Sequence, residues 1–140
     1  IGDQDNQFII DTRHYGIDFL KEVLESKSIL KIFHNVKFDY KFIKYWYGIT
    51  CENVYDTMLA EACITNGEEN RHLSLQALAV KYTSIRLNKN VRIQFSSELY
   101  GIPFTEQQIT YGAQDVQCLT EIKTKQELNK IKNVNYVYDK

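Results

Sequence analysis

Proline, glycine and cysteine are all sparse in this chain, with 1 Pro, 6 Gly and 3 Cys among 140 residues. Nothing approaches the roughly 18 consecutive apolar residues of a membrane span, and no signal-peptide pattern opens the sequence. Cys51, Cys63 and Cys118 are odd in number and far apart. That excludes a disulfide framework and a zinc motif, and points to a reducing, cytoplasmic setting. His14, His34 and His72 have no paired metal-ligand spacing. Net charge is only −1, so no overall basic field draws the molecule onto nucleic acid, and any such contact must be a local groove. Internal repeats and low-complexity segments are absent.

What remains suits one compact domain. The chain is 44% hydrophobic and 25% charged, with 10 Tyr and 7 Phe, enough for a substantial core and for stacking surfaces besides. It opens on Ile1 instead of Met, which reads as an excised or processed chain, or as part of a longer protein.

The pattern alternates strands with helices. A turn over Asp3-Gln4-Asp5-Asn6 precedes a short apolar strand, Phe8-Ile9-Ile10. Tyr15 to Ser26 is expected to be an amphipathic helix with Ile17, Leu20, Val23 and Leu24 inward. Ser28 to Phe33 reads as a strand, and a strongly aromatic helix starts directly after Asn35 and closes at Gly48. A short strand over Thr50 to Val54 leads to a helix capped by Asp56 and broken at Asn66-Gly67. Leu73 to Tyr82 is a further helix with Leu75, Leu78 and Ala79 as core. Thr83 to Pro103 is irregular and basic at Arg86, Lys89 and Arg92. Thr105 to Ile122 then reads as one helix, with Thr105 and Gln108 as a capping box. Its expected apolar stripe is Ile109, Gly112, Ala113, Val116 and Leu119.

Two segments could carry chemistry. In His34-Asn35-Val36-Lys37-Phe38-Asp39 a strand ends and a helix begins, the edge of an α/β sheet where ligands gather. Taken alone, Asp39 is accounted for as a solvated carboxylate favoured by the helix dipole. Tyr111 and Asp115 stand at i and i+4, phenol above carboxylate on one helix face. That spacing also arises by chance. Asp39, with Asn35 one turn earlier, and then Tyr111-Gly112-Ala113-Gln114-Asp115, in this order, make a pair of motifs that neither makes alone.

That pair resembles the second and third motifs of the DnaQ-like (DEDD) 3′–5′ exonucleases, in the variant whose third motif carries a tyrosine. Asp56-Thr57-Met58-Leu59, Leu73 to Ala79 and Phe104 to Ile109 support the resemblance, which runs from about Phe8 to about Glu127. It looks closest to the proofreading domain of family A, phage-type DNA polymerases, with ribonuclease D-like enzymes as relatives. The resemblance implies an α/β, ribonuclease H-like three-layer fold over residues 1–132, with 133–140 a tail or a connection to a following domain. It implies two-metal phosphodiester hydrolysis at a DNA 3′ end, RNA being possible, with two Mg²⁺ or Mn²⁺ ions. Asp39 and Asp115 would be the metal ligands, and Asp39, Tyr111 and Asp115 the catalytic residues, with Tyr111 orienting the attacking water. Asn35 would touch the terminal nucleotide, and Arg71 and Arg92 would track phosphates or lie on a solvated face. Phe95 and Tyr100 could stack on a base, burial being the simpler reading. The location implied is cytoplasmic, the host's if the gene is phage-borne.

One motif of the family is missing. Its Asp-x-Glu pair on a first strand has no counterpart: Asp3-Gln4-Asp5 sits in a turn, and Asp11-Thr12-Arg13 puts Arg where Glu is needed. The fold is therefore expected to be truncated at its N-terminus, lacking a central strand that a missing segment or a partner chain would supply. Little exonuclease activity is expected of the isolated chain. A ribonuclease D-like exoribonuclease and a catalytically dead DnaQ-like binding module are the alternatives.

Overall fold

The computed structural model describes residues 1–88, 90, 91, 95 and 101–138, with side chains described up to residue 130. Lys89, Arg92 and Tyr100 lie outside the described residues.

The chain opens on the expected turn. Asp3 Oδ1 accepts the N–H groups of Asp5 (2.9 Å) and Asn6 (2.7 Å), and Gly2 bridges antiparallel to Gln7. A side chain at position 2 would strike Asn6 O, with Cβ only 2.1 Å away, so this turn requires glycine. Phe8-Ile9-Ile10 does not form the expected strand. Its only turn-side backbone partner is Ile1, through Phe8 N–H to Ile1 O at 2.7 Å, and Phe8 stays exposed. A strand needs a continuing ladder of partners, and none follows among the described residues.

The helix expected over 15–26 is much shorter. A 3-10 turn, Asp18–Leu20, leads into α1, Lys21–Glu25. Ile17 supplies no side-chain cap, and Ser26 turns extended at ψ 128, which stops the helix there. Ile17 and Leu24 are buried, whereas Val23 is exposed.

Strand β1, Lys31–Phe33, pairs in parallel with β2, Val54–Asp56, Ile32 facing Tyr55. The second strand therefore lies further along the chain than the expected 50–54. Thr50 N–H donates to Glu25 Oε1 (3.2 Å) and Glu52 N–H to Leu24 O (3.0 Å), which ties this approach to the end of α1. Asn53 then adopts a left-handed φ of 49 and turns the chain into the sheet.

Helix α2, Val36–Tyr47, ends as expected at Gly48, whose φ of 65 suits a residue without Cβ. Helix α3 is Thr57–Ile64, and α4, Leu75–Tyr82, is capped by Ser74 on the Ala77 N–H. The capping box of Thr105 and Gln108 starts α5, Glu106–Gln117. Cys118 interrupts the expected single helix, and α6, Leu119–Tyr138, follows.

Helix α6 is the packing centre and touches α3, α4, α5 and β1. One core cluster joins Leu78, Ala79, Tyr82, Leu87, Cys118 and Ile122. Another joins Ile17, Leu24 and Ile49, with Phe33 and Ile43 against it. Among the described residues no helix is long and apolar enough to cross a membrane.

Candidate functional site

Both parallel strands end at the same edge, and each runs straight into a helix: β1 through His34-Asn35 into α2, and β2 directly into α3. Two sets of orphan helix N–H groups meet there, and one carboxylate satisfies both. Asp56 accepts from Met58 N (2.9 Å) and Leu59 N (3.3 Å) of its own helix. It also accepts from Asn35 N (3.0 Å) and Val36 N (2.9 Å) at the start of α2. The sequence identified the first capping role and missed the second. An Asp closing one of two neighbouring parallel strands was the only signal available for it. Beside it, the Thr57 hydroxyl donates to Phe33 O at 3.2 Å and lies 2.9 Å from His34 Nδ1.

This clamp determines where α2 begins, and hence where Asp39 sits. Asn35 is held left-handed at φ 61, a conformation Asn tolerates better than most residues. Asp39 lies in the first turn of α2 and is half-buried. Burial, reinforced by the negative charge of Asp56, raises its pKa above the ordinary carboxylate value.

Tyr111 and Asp115 stand one turn apart on α5. The expected apolar stripe is not wholly buried. Ile109 of that stripe is 44% exposed, while the Tyr111 ring packs against the cluster containing Cys118 and Ile122. Tyr111, Asp115, Cys118 and Ile122 thus share the inward face, and Asp115 Oδ1 is buried there. The stripe residue Gly112 instead receives Ile9, whose Cδ1 would be 3.0 Å from a Cβ at that position. Phe95, 44% exposed, is not the buried residue expected. It stacks at an angle on Phe104 (5.7 Å) and lies 6.2 Å from Tyr111.

Arg71 is exposed in the loop between α3 and α4. Arg13 instead ties the N-terminal segment to the approach of α5. It pairs with Asp11 at 2.7 Å, donates to Ile102 O at 2.9 Å and covers the Phe104 ring. The paired guanidinium pulls the Asp11 carboxyl down to about 2.

The model of the 3′–5′ exonuclease matches residues 1–131. The chain belongs to this family. The DnaQ-like resemblance is borne out, and the solved structures similar to this chain bear out the ribonuclease H-like α/β fold. The DNA polymerase of Escherichia phage T5 is 34% identical over 76 residues, covering 50% of this chain and 9% of that protein. A ribonuclease D of Gluconacetobacter diazotrophicus is 27% identical over 121 residues, covering 85% of this chain and 29% of that protein. Brucella melitensis NrnC superimposes with a TM-score of 0.69 at 26% identity, over 81% of this chain and 53% of that one. The chain thus spans well under a third of the length of the phage relative and just under a third of the other.

Exonucleases of this family generally use divalent metal ions, and NrnC has been solved with bound Mg²⁺. The donors described here do not make up a two-ion cage. Among the described residues no group of three or more His, Cys, Asp or Glu is gathered at metal-binding distance. Asp39 and Asp115 are carboxylates of the right chemical kind, but two carboxylates leave most of the oxygen positions of two hard cations to other groups.

Proposed function

We propose that this chain is the 3′–5′ exonuclease unit of a DNA polymerase and removes nucleotides from DNA 3′ ends in proofreading. The observation that carries the reading is the match of the 3′–5′ exonuclease family over residues 1–131, supported by half-buried Asp39 at a clamped strand-to-helix turn and by Tyr111 and Asp115 one turn apart on a capped helix. The 34% identity to a phage polymerase supports the polymerase context.

In this reading Asp39 and Asp115 each contribute a carboxylate, and further carboxylates from outside these residues complete a two-metal site. The Tyr111 hydroxyl orients the attacking water, a positioning role suited to a phenol held by packing against the core. Asn35 and Arg71 contact the terminal nucleotides. Water adds to phosphorus, the bond to the 3′ oxygen breaks, and a nucleoside 5′-monophosphate leaves. With the donor set incomplete among the described residues, the isolated chain turns over little substrate.

A second reading, an exoribonuclease of the ribonuclease D kind, is favoured by the longer match, 85% of the chain. Incubation with 5′-labelled single-stranded DNA and RNA of one sequence, in Mn²⁺, separates the two. The proposal expects trace 3′ shortening by single nucleotides, faster on DNA and lost in Asp115→Asn. Joining an Asp-x-Glu strand ahead of Ile1 should raise the rate. Preference for RNA selects the second reading, and shortening unaffected by Asp115→Asn overturns both.

A further inference from the structure

The outer face of α2 has no role in the chemistry above, yet it carries the densest exposed aromatic surface described. Phe38, Phe42, Tyr45 and Trp46 are 62%, 53%, 80% and 68% exposed. Phe38 and Phe42 have ring centres 5.1 Å apart, and Tyr45 meets Trp46 edge-on at 5.0 Å. Val36, Tyr40, Ile43 and Tyr47 are the half-buried side of the same helix. At about 100° per residue, the four exposed rings form one lane along the helix, and Lys37, Lys41 and Lys44 form the lane beside it. Lys44 is drawn toward the helix end, donating to Gly48 O (3.3 Å) and Thr50 Oγ1 (2.7 Å). Lys37 and Lys41 are exposed.

We infer that this face is a track for single-stranded DNA, the rings stacking on bases and the lysines following the phosphates. The inference rests on the exonuclease reading and extends it to a surface outside the candidate catalytic residues. Sequence-tolerant single-strand binding calls for this combination of stacking platforms beside cations. Phe38 to Trp46 spans roughly 12 Å of helix, at ~1.5 Å per residue. That is room for about three nucleotides at ~3.4 Å each. The lane reaches Asp39 at its N-terminal end, so a strand lying along it points its terminus at that carboxylate. Charge also argues against a second copy as the occupant. An antiparallel self-complementary contact on this face would bring two lysine lanes together, whereas a phosphate backbone neutralises them.

Trp46 is the only tryptophan among the 140 residues and reports on the track directly. The full chain, titrated in EDTA with an oligo-dT strand, should show saturable quenching of Trp46 and a matching rise in anisotropy of a labelled strand. Tyr45→Ala, at the most exposed of these positions, should weaken binding by about tenfold. Lys41→Glu should also weaken it and lower the salt dependence by about one phosphate's worth. Circular dichroism of both variants serves as the folding control. Anisotropy that rises with no Trp46 response, or affinities unchanged in both folded variants, would overturn the track while leaving the exonuclease reading standing. Trp46 shielding that follows protein concentration alone would overturn it in favour of a second copy. Failure of the exonuclease reading shows separately, as 3′ shortening indifferent to Asp115→Asn.

Discussion

The Asp56 carboxylate caps a helix it does not belong to, accepting the Val36 N–H at 2.9 Å across 20 residues of chain. The same carboxylate caps its own helix through Met58 N–H at 2.9 Å. One side chain therefore holds the starts of α2 and α3 at a common sheet edge and sets where Asp39 stands.

Asp56→Ala should be among the most damaging polar substitutions described here. A single cap is worth about 0.5–2 kcal/mol, and two caps are lost together, so a loss of about 1–4 kcal/mol is expected by urea unfolding. Asp56→Asn retains one acceptor oxygen and should cost less. An Ala variant within the error of the parent would show that the second cap carries no weight.

Glu61 should make stability depend on acid. It is 1% exposed and accepts from Lys81 Nζ (2.6 Å), Tyr82 OH (2.8 Å) and Gln126 Nε2 (3.0 Å). Burial is the largest single influence and pushes its pKa up, but the three donors and the Lys81 charge together hold it below the ordinary 4.5. A folded value below the unfolded one means the contribution is fully present above pH 4.5 and fades as pH falls through the lower folded value. Glu61→Gln should therefore be less stable at neutral pH, by about 1–3 kcal/mol. Its deficit should shrink in acid, and a deficit independent of pH would contradict this account.

Tyr111 separates packing from chemistry. Tyr111→Phe keeps the ring against Cys118 and Ile122, so the packing survives the change. In the exonuclease reading it loses the hydroxyl that orients water, so release of mononucleotides should fall while urea unfolding shows the variant still folded. Equal activity in the Phe variant would remove Tyr111 from the proposed machinery.

The three cysteines should react in order of exposure. Cys63 is exposed, Cys51 intermediate and Cys118 buried. Burial, with the Asp115 charge adding to it, pushes the Cys118 thiol up to about 12, and thiolate is the reactive form. Brief native alkylation followed by peptide mass spectrometry should label Cys63 first and leave Cys118 unmodified until the chain is unfolded in urea. Early labelling of Cys118 would mean that the α5–α6 junction opens readily.

Local chemistry was legible in advance wherever a few adjacent residues sufficed. The Thr105 and Gln108 capping box, the Gly48 helix end, the turn at Asp3 and the burial of Leu78 and Ala79 all follow from short-range rules of capping, backbone freedom and periodicity. The family, too, was legible, and the match over residues 1–131 shows it. What adjacent residues could not reveal was which surface another element would cover. Ile109, Gly112, Ala113, Val116 and Leu119 satisfy helical periodicity as well as Tyr111, Cys118 and Ile122 do. Yet Ile109 stays exposed, Gly112, Ala113, Val116 and Leu119 are half-buried, and Tyr111 packs on the cluster that α4 and α6 build with Cys118. The placement of β2 likewise depended on hydrogen bonds from residues 50 and 52 to the end of α1, some 25 residues earlier. The sequence by itself determined the helix ends, the turn residues and the identity of Asp39, Tyr111 and Asp115 as candidates. Tertiary structure alone decided that Asp56 would clamp two helices and that Tyr111 would be half core residue. The physical reason is that burial and capping across elements are properties of the neighbours a side chain meets, and those neighbours lie far away in the chain.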